Sequence, residues 1–519
     1  MLTPRTSAAL LALVLLAPLL PAAEPVAPHL VATPRARTLP LTPTNRPFLA
    51  AANTQQPMAL SARGYAESEL IVSGYANIYE WAGTPADAAV TVRNADVPYA
   101  TRVLVRRPVD PAKASGLVVV ELLNPTGLYD FAPLWGFSWE HFTRRGDVWV
   151  GITVKPVAAE TLRRFDPVRY ASLSFSFRQA PECRPAATAA GMPGAGDDRN
   201  TPADAENGLA FDLIAQVGAL LRSSSKENPL LDLNPRKLVV AGYSQSGGYI
   251  TTYANAMHRM LRRGDGAPVY DGYLKAASGP SNVPINQCAA PLPEDDPRRA
   301  AMPRDVPFVT VMTESDFNRG TSLALRRDDT DAAEGHFHLY EVPGSGHAGP
   351  FAAGVPADAD LRIAGFEPPA KGMCMEPDGD FPVGMAFSAI WQQYDEWMNK
   401  GTPMLVVPRI ETDAQGAVVP DANGNAKGGW RLPPLDVPAA RYAGRGTPRE
   451  DTDRARALCA LTGIRQPFDA ARMKALYRNR AEYVRQFNAA VDQAVQQRRL
   501  TAEDGAALKA PVVRSLPAF

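Results

Sequence analysis

Apolar positions along this chain fall into short, nearly unbroken runs separated by longer amphipathic stretches. That is the pattern of strands buried on both faces, with helices between them. The runs at 116–123, 147–154, 237–241 and 306–313 predict central strands. Two earlier stretches, 67–79 and 98–108, predict further strands, and the first alternates and reads as an edge-type strand. Residues 336–342 alternate as a strand as well. Helical spacing appears at 204–222, where Leu209, Leu213, Ile214, Val217, Leu220 and Leu221 share a face. Further helices are predicted at 249–257, 386–398 and 473–497. The alternation predicts an α/β fold with a mostly parallel central sheet and helices on both faces. Long irregular segments at 155–202 and 279–304 predict cap-like insertions over one edge of the sheet. No internal repeat of solenoid period is present.

The run 237–241 leads into Gly242-Tyr243-Ser244-Gln245-Ser246-Gly247-Gly248 and then into a predicted helix. Strand, sharp turn with a central serine, and helix are the layout of a nucleophile elbow, which identifies an α/β-hydrolase fold. The serine of such a turn is backbone-strained, so positions two before and two after it must be small. Gly242 and Ser246 meet that need. Ser246 could itself be the nucleophile, but it lies two residues further from the strand end, inside the first helical turn. Its expected task is packing or a hydrogen bond near the helix start.

A serine hydroxyl needs a histidine base, and the base needs an acid to orient it. Of the six histidines, His29 and His141 precede the serine, and His258 follows it with no room for an acid between. His336 and His338 lie at the start of a predicted strand. His347 follows that strand on a glycine-rich loop and is the expected base, against the alternative of a solvated loop histidine. The acid is expected after the strand 306–313, where Asp316 is the first choice and Glu314 the rival. Both could instead be solvated loop carboxylates. The oxyanion formed in acyl transfer needs N–H donors. Gln245, next to the nucleophile, should supply one. The loop after 117–123 should supply the other from Asn124 or Thr126, since Pro125 has no N–H. Glu121 is an isolated charge in an apolar strand and reads first as a buried structural group, second as part of the site.

Lys plus Arg and Asp plus Glu number 54 each, so charge gives no reason to expect nucleic acid as a partner. The first 23 residues carry Arg5, an apolar core at 8–20 and the small residues of 21–23, and predict a signal peptide. The mature chain is then expected to be secreted or periplasmic, with no integral membrane segment. Residues 24–64, rich in Pro, Thr and Ala, read as an extended leader, 65–400 as the core, and 401–519 as a C-terminal extension. The cysteines Cys183, Cys288, Cys374 and Cys459 suit two disulfides in an exported protein, with three pairings open and four free thiols as the alternative. Their spacing fits no zinc motif. Residues 421–425 imitate the start of a calcium loop, but Ala426 and Leu432 stand where glycine and glutamate are required, so a hairpin turn is expected. Neither a metal nor a cofactor is expected.

The residues Gly242-Tyr243-Ser244-Gln245 match the elbow of cutinases. The fuller set, Pro98-Tyr99, Thr101-Arg102, 118–121 with Asn124, 242–248, and the tail residues Asp421, Gly424, Asn425, Gly428, Gly429, Leu432 and Pro433, resembles a family of exported bacterial and fungal α/β-hydrolase-domain proteins. The resemblance runs from about residue 65 to the C-terminus. It implies the fold, a Ser-acid-His triad and a tail packed on the body, but no substrate. Ser246 departs from the cutinase pattern, so cutin or polyester cleavage does not follow. Ala348-Gly349 departs from the acidic residue expected two positions after the histidine. The function expected is cleavage of a small or polymeric carboxylic ester. Amide, lactone or polyester cleavage by the same residues, or non-catalytic binding, are the alternatives.

Overall fold

The computed structural model describes residues 29–512 and 519, apart from 43–44, 179–201, 281–282, 303, 318–322, 333–334 and 369–371. Its strands are β1 (His29–Leu30), β2 (Arg35–Leu39), β3 (Tyr65–Trp81), β4 (Val90–Pro108), β5 (Leu117–Leu122), β6 (Val148–Ile152), β7 (Lys237–Tyr243), β8 (Leu261–Arg262), β9 (Gly272–Ala276), β10 (Phe308–Thr313), β11 (Phe337–Val342), β12 (Ala440–Ala443) and β13 (Ile464–Pro467). Nine of them form one sheet in the order β11-β10-β9-β7-β5-β6-β4-β3-β2. The six from β11 to β6 are parallel, and β4, β3 and β2 add antiparallel pairs at one side. Every residue of β5, β6, β9, β10 and β11 is buried, which is why the sequence shows apolar runs there instead of alternation. The chain steps from β5 to β6 on one side and returns to β7 on the other. A crevice therefore opens at the carboxyl ends of these strands, where ligands of open α/β sheets bind.

The helices that matter for the site are α1 (Pro133–Arg145), α2 (Pro156–Phe165), α3 (Ala210–Arg222), α4 (Gln245–Thr252), α5 (Glu314–Phe317), α6 (Asp358–Ile363) and α7 (Val383–Lys400). α1 and α7 meet through stacked Phe137 and Phe387 rings, 5.3 Å between centroids. α3 starts later than its sequence pattern predicts, because Asn207–Leu209 is a 3-10 turn capped by the Glu206 side chain. α2 occupies the front of the 155–202 insertion, whose residues 179–201 lie outside the described set. In the second insertion Asn286 donates to the Tyr79 carbonyl at 2.6 Å, and Arg298 lies 4.6 Å from the Trp81 ring centroid. That insertion is therefore a wall against the end of β3.

Two expectations are revised. The stretch 24–64, read as a leader, belongs to the sheet from Arg35 onward: Arg35 to Leu39 pair with Ser73 to Glu69, and Phe48 and Leu49 are fully buried. An edge strand needs one partner only and tolerates flanking prolines, here Pro34 and Pro40, so composition hid it. β3 is consequently interior, not an edge. The extension after 400 shares the same apolar core as the body, with Trp430 fully buried and donating its N–H to the Glu341 carbonyl at 2.7 Å.

Glu121 is explained by its neighbours. One carboxylate oxygen accepts from the Leu134 N–H and the other from the Trp135 N–H and Trp149 Nε1. It caps the start of α1, where N–H groups have no intrahelical acceptor. Burial pushes its carboxyl up to about 7, against the pull of these hydrogen bonds. Residues 421–425 form a tight turn closed by Asp421 N–H to Asn425 O at 2.7 Å, with Gly424 at φ +82°. No cluster suited to a metal ion occurs among the described residues. Cys374 and Cys459 are joined, and Cys288 is also disulfide-bonded, while Cys183 lies outside the described set. No helix among the described residues is long and apolar enough to cross a membrane.

Candidate active site

Ser244 stands at the tip of β7 with φ +56° and ψ −118°, a conformation that costs a non-glycine residue roughly 1–3 kcal/mol. The residues around it hold it there. A Cβ on Gly242 would lie 2.4 Å from the Ser246 carbonyl oxygen, and one on Gly247 would lie 2.5 Å from Ser278 Cβ. Only a bare backbone lets the strand and α4 approach this closely. Ser246 is fully buried; its Oγ accepts from the Tyr243 N–H at 3.1 Å and donates to the Tyr243 carbonyl at 3.0 Å. Its hydroxyl is thus spent on bracing the turn. Asn124 Nδ2 donates to the same Tyr243 carbonyl at 2.7 Å, and Ser244 N–H donates to Ala276 O at 2.9 Å.

The structure brings Ser244, His347 and Asp316 into one line. His347 Nε2 lies 2.9 Å from Ser244 Oγ, and His347 Nδ1 lies 2.9 Å from Asp316 Oδ1. The other Asp316 oxygen accepts from the Thr313 N–H at 2.9 Å and the Thr313 hydroxyl at 2.8 Å. Burial pushes the Asp316 carboxyl up. The adjoining His347 and the Thr313 hydrogen bonds outweigh it, so the group stays below the ordinary aspartate range and is ionised near neutral pH. Such a line can pass a proton from the serine to the imidazole while the carboxylate stabilises the resulting charge.

Glu314 turns away from His347. One of its carboxylate oxygens accepts from Gly344 N–H at 2.6 Å and the other from Gly444 N–H at 3.0 Å. Three of the remaining histidines are engaged elsewhere. His258 bonds to Tyr273 and Asp305, His338 to Asp331, and His336 packs on Trp397. Burial drives His141 down to about 3, so it stays neutral.

The loop after β5 is arranged differently from expectation. Asn124 N–H donates to Phe131 O at 2.8 Å, and Thr126 N–H donates to Asn124 Oδ1 at 2.8 Å, so both backbone donors are taken. The Thr126 hydroxyl lies 3.5 Å from Gln245 Oε1. Gln245 begins α4, where an N–H has no acceptor within the helix. Reading the loop for backbone donors missed that the Asn124 amide would tie the loop to the elbow.

Two further contributors escaped the sequence reading. The Tyr243 hydroxyl donates to the His347 carbonyl at 2.8 Å, and the His347 N–H donates to Ser315 Oγ at 3.0 Å. Tyr243 lay within the elbow motif and Ser315 between the two candidate acids, but neither type signals such a role by spacing. Around the site Tyr243, Phe351 and Phe131 form an apolar wall, with Tyr243–Phe351 and Phe351–Phe131 centroids 6.2 and 6.1 Å apart. It lowers the local dielectric and strengthens the polar contacts inside.

No curated protein matches the chain. Among solved structures, acetyl xylan esterase 1 from Thermoanaerobacterium is 9% identical, with 71% of this chain and 89% of that one covered at a TM-score of 0.29. Esterase B from Lactobacillus rhamnosis is 10% identical, over 64% and 87%, at 0.29. A dienelactone hydrolase from Anabaena variabilis is 13% identical, over 51% and 90%, at 0.26. The family model described as alpha/beta hydrolase domain matches residues 31–510, and the chain belongs to that family.

Proposed function

We propose that this protein is an exported serine hydrolase that cleaves a carboxylic ester through an acyl-enzyme on Ser244. The observation that carries the reading is the continuous line Ser244 Oγ, His347 Nε2, His347 Nδ1, Asp316 Oδ1, with both gaps at 2.9 Å. Ser244 Oγ attacks the ester carbonyl carbon as His347 Nε2 takes its proton. Asp316 accepts from His347 Nδ1–H, fixes the tautomer and stabilises the imidazolium. The tetrahedral oxyanion is met by the Gln245 N–H, with the Thr126 hydroxyl, 3.5 Å from the Gln245 side-chain oxygen, turning to it as second donor. His347 returns the proton to the leaving alcohol. Water, deprotonated by the same imidazole, then releases the acid and restores Ser244.

Membership of an alpha/beta hydrolase domain family supports hydrolysis as the reaction class. Export rests on the signal-like residues 1–23 and is tested by N-terminal sequencing of protein recovered outside the cytoplasm. The catalytic reading is tested with a fluorophosphonate probe and peptide mapping, followed by p-nitrophenyl esters of graded acyl length. Label on Ser244 with ester turnover is expected. Absence of both, beside a control esterase that labels, would leave a non-catalytic binding protein. Amide, lactone and polyester substrates in the same panel separate the remaining bond types.

A further inference from the structure

We propose that residues 440–463 of the C-terminal extension, acting through the hydroxyl of Ser315, position the acid–histidine pair. The inference rests on the serine-hydrolase reading and adds to it a device that sets its rate. Ser315 is fully buried in α5 between Glu314 and Asp316. Its Oγ accepts the His347 N–H at 3.0 Å and directs its own O–H at the Gly444 carbonyl, with the Leu461 carbonyl 3.2 Å away. One hydroxyl therefore connects the backbone of the base to two carbonyls that are 129 and 146 residues from Ser315 along the chain.

The contact is repeated twice nearby. The Glu314 carboxylate spans Gly344 N–H, at the start of the histidine loop, and Gly444 N–H, in the extension. The Ala348 N–H, one residue past the base, donates to the Leu461 carbonyl at 2.9 Å. The seam closes at two glycines: a Cβ on Gly346 would lie 2.2 Å from Gly463 N, and one on Gly463 would lie 2.7 Å from Gly346 N. On its far side the segment is pinned by the Cys374–Cys459 disulfide and by Gly379 N–H to Gly463 O at 2.6 Å, and it is braced internally by Gly446 N–H to Cys459 O at 2.7 Å.

A tail that only covered apolar surface would meet the body through side chains. This one meets the two residues before the acid and the residue after the base through its main-chain polar groups. Ser315 touches no reacting atom, so it is a positioning residue, and its loss should appear in kcat with KM preserved.

The test uses the full chain carrying Ser315→Ala, and separately the double variant Cys374→Ala/Cys459→Ala, which loosens the same segment without touching α5. Three quantities are read: the endpoint of fluorophosphonate labelling, kcat and KM on a p-nitrophenyl ester, and amide hydrogen exchange across 344–349. Full labelling, a kcat lower by about tenfold or more, KM within about twofold, and faster exchange are expected. Wild-type kcat in Ser315→Ala, a loss that merely tracks the labelled fraction, or unaltered exchange would overturn the proposal. If Ser315→Ala does not fold, the cysteine variant carries the same readouts. If the wild type neither labels nor turns over, the hydrolase reading fails, and the exchange measurement still decides whether the extension orders the loop.

Discussion

The two halves of this site are held by different means. Around Ser244 the steric restraints come mainly from residues close in sequence, Gly242, Ser246 and Gly247, with Ser278 packed on them and hydrogen bonds from Asn124 and to Ala276 added from further along the chain. Around His347 the restraints are polar and come from far along the chain, with Gly444 and Leu461 reached through Ser315, Glu314 and Ala348. A strained elbow can be written into a dozen residues because hard-sphere contact acts over one turn. A loop histidine has no such intrinsic geometry and needs an external surface.

The comparison can be broken most severely at the reacting groups. Ser244→Ala should lower ester turnover by at least about 10⁴-fold, and Asp316→Asn by about 10⁴-fold, with melting temperatures near wild type for the serine variant. Equal activity in either variant would remove the line of contacts from the mechanism. The next largest effect separates the halves. Gly242→Ala forces a Cβ against the Ser246 carbonyl and should cost about 3 kcal/mol of stability by denaturant titration, because β7 and α4 are both core elements. A midpoint unchanged from wild type would mean the elbow is slacker than its contacts imply.

Glu314→Gln probes the other half. One side-chain oxygen becomes an NH2 facing a main-chain N–H, which should cost about 1–3 kcal/mol and lower kcat severalfold. Retained kcat would show that the span from Gly344 to Gly444 is dispensable. The last prediction concerns pH and lies outside both halves. The Glu121 carboxyl, raised to about 7 from an ordinary 4.5, favours the folded state in its protonated form. Its contribution is present below pH 4.5 and is lost as pH rises through about 7. Glu121→Gln should therefore flatten the decline in wild-type stability between these values, whatever its offset at a single pH. An identical slope in wild type and variant would assign that pH dependence to other groups.

The same contrast explains what was legible in the sequence. The parallel strands were readable because full burial writes apolar runs, and Ser244 because the elbow demands small residues at fixed offsets. His347 and Asp316 could be named from chain order and strand ends. Asn124 was misjudged because its side chain, not its backbone, does the binding. β2 was hidden by prolines that flank the strand without entering it. The role of 440–463 left no trace because its groups are main-chain carbonyls and N–H groups, which every residue carries.

The long reach of Ser315 has a consequence for how the molecule comes into being. A ribosome has finished Ser244, Asp316 and His347 by residue 347, yet the bed on which two of them lie arrives about a hundred residues later. Any nascent or truncated product ending before Gly444 would hold the reactive trio in its primary structure without the seating that sets its rate, so hydrolytic competence on this reading is a late event in biogenesis.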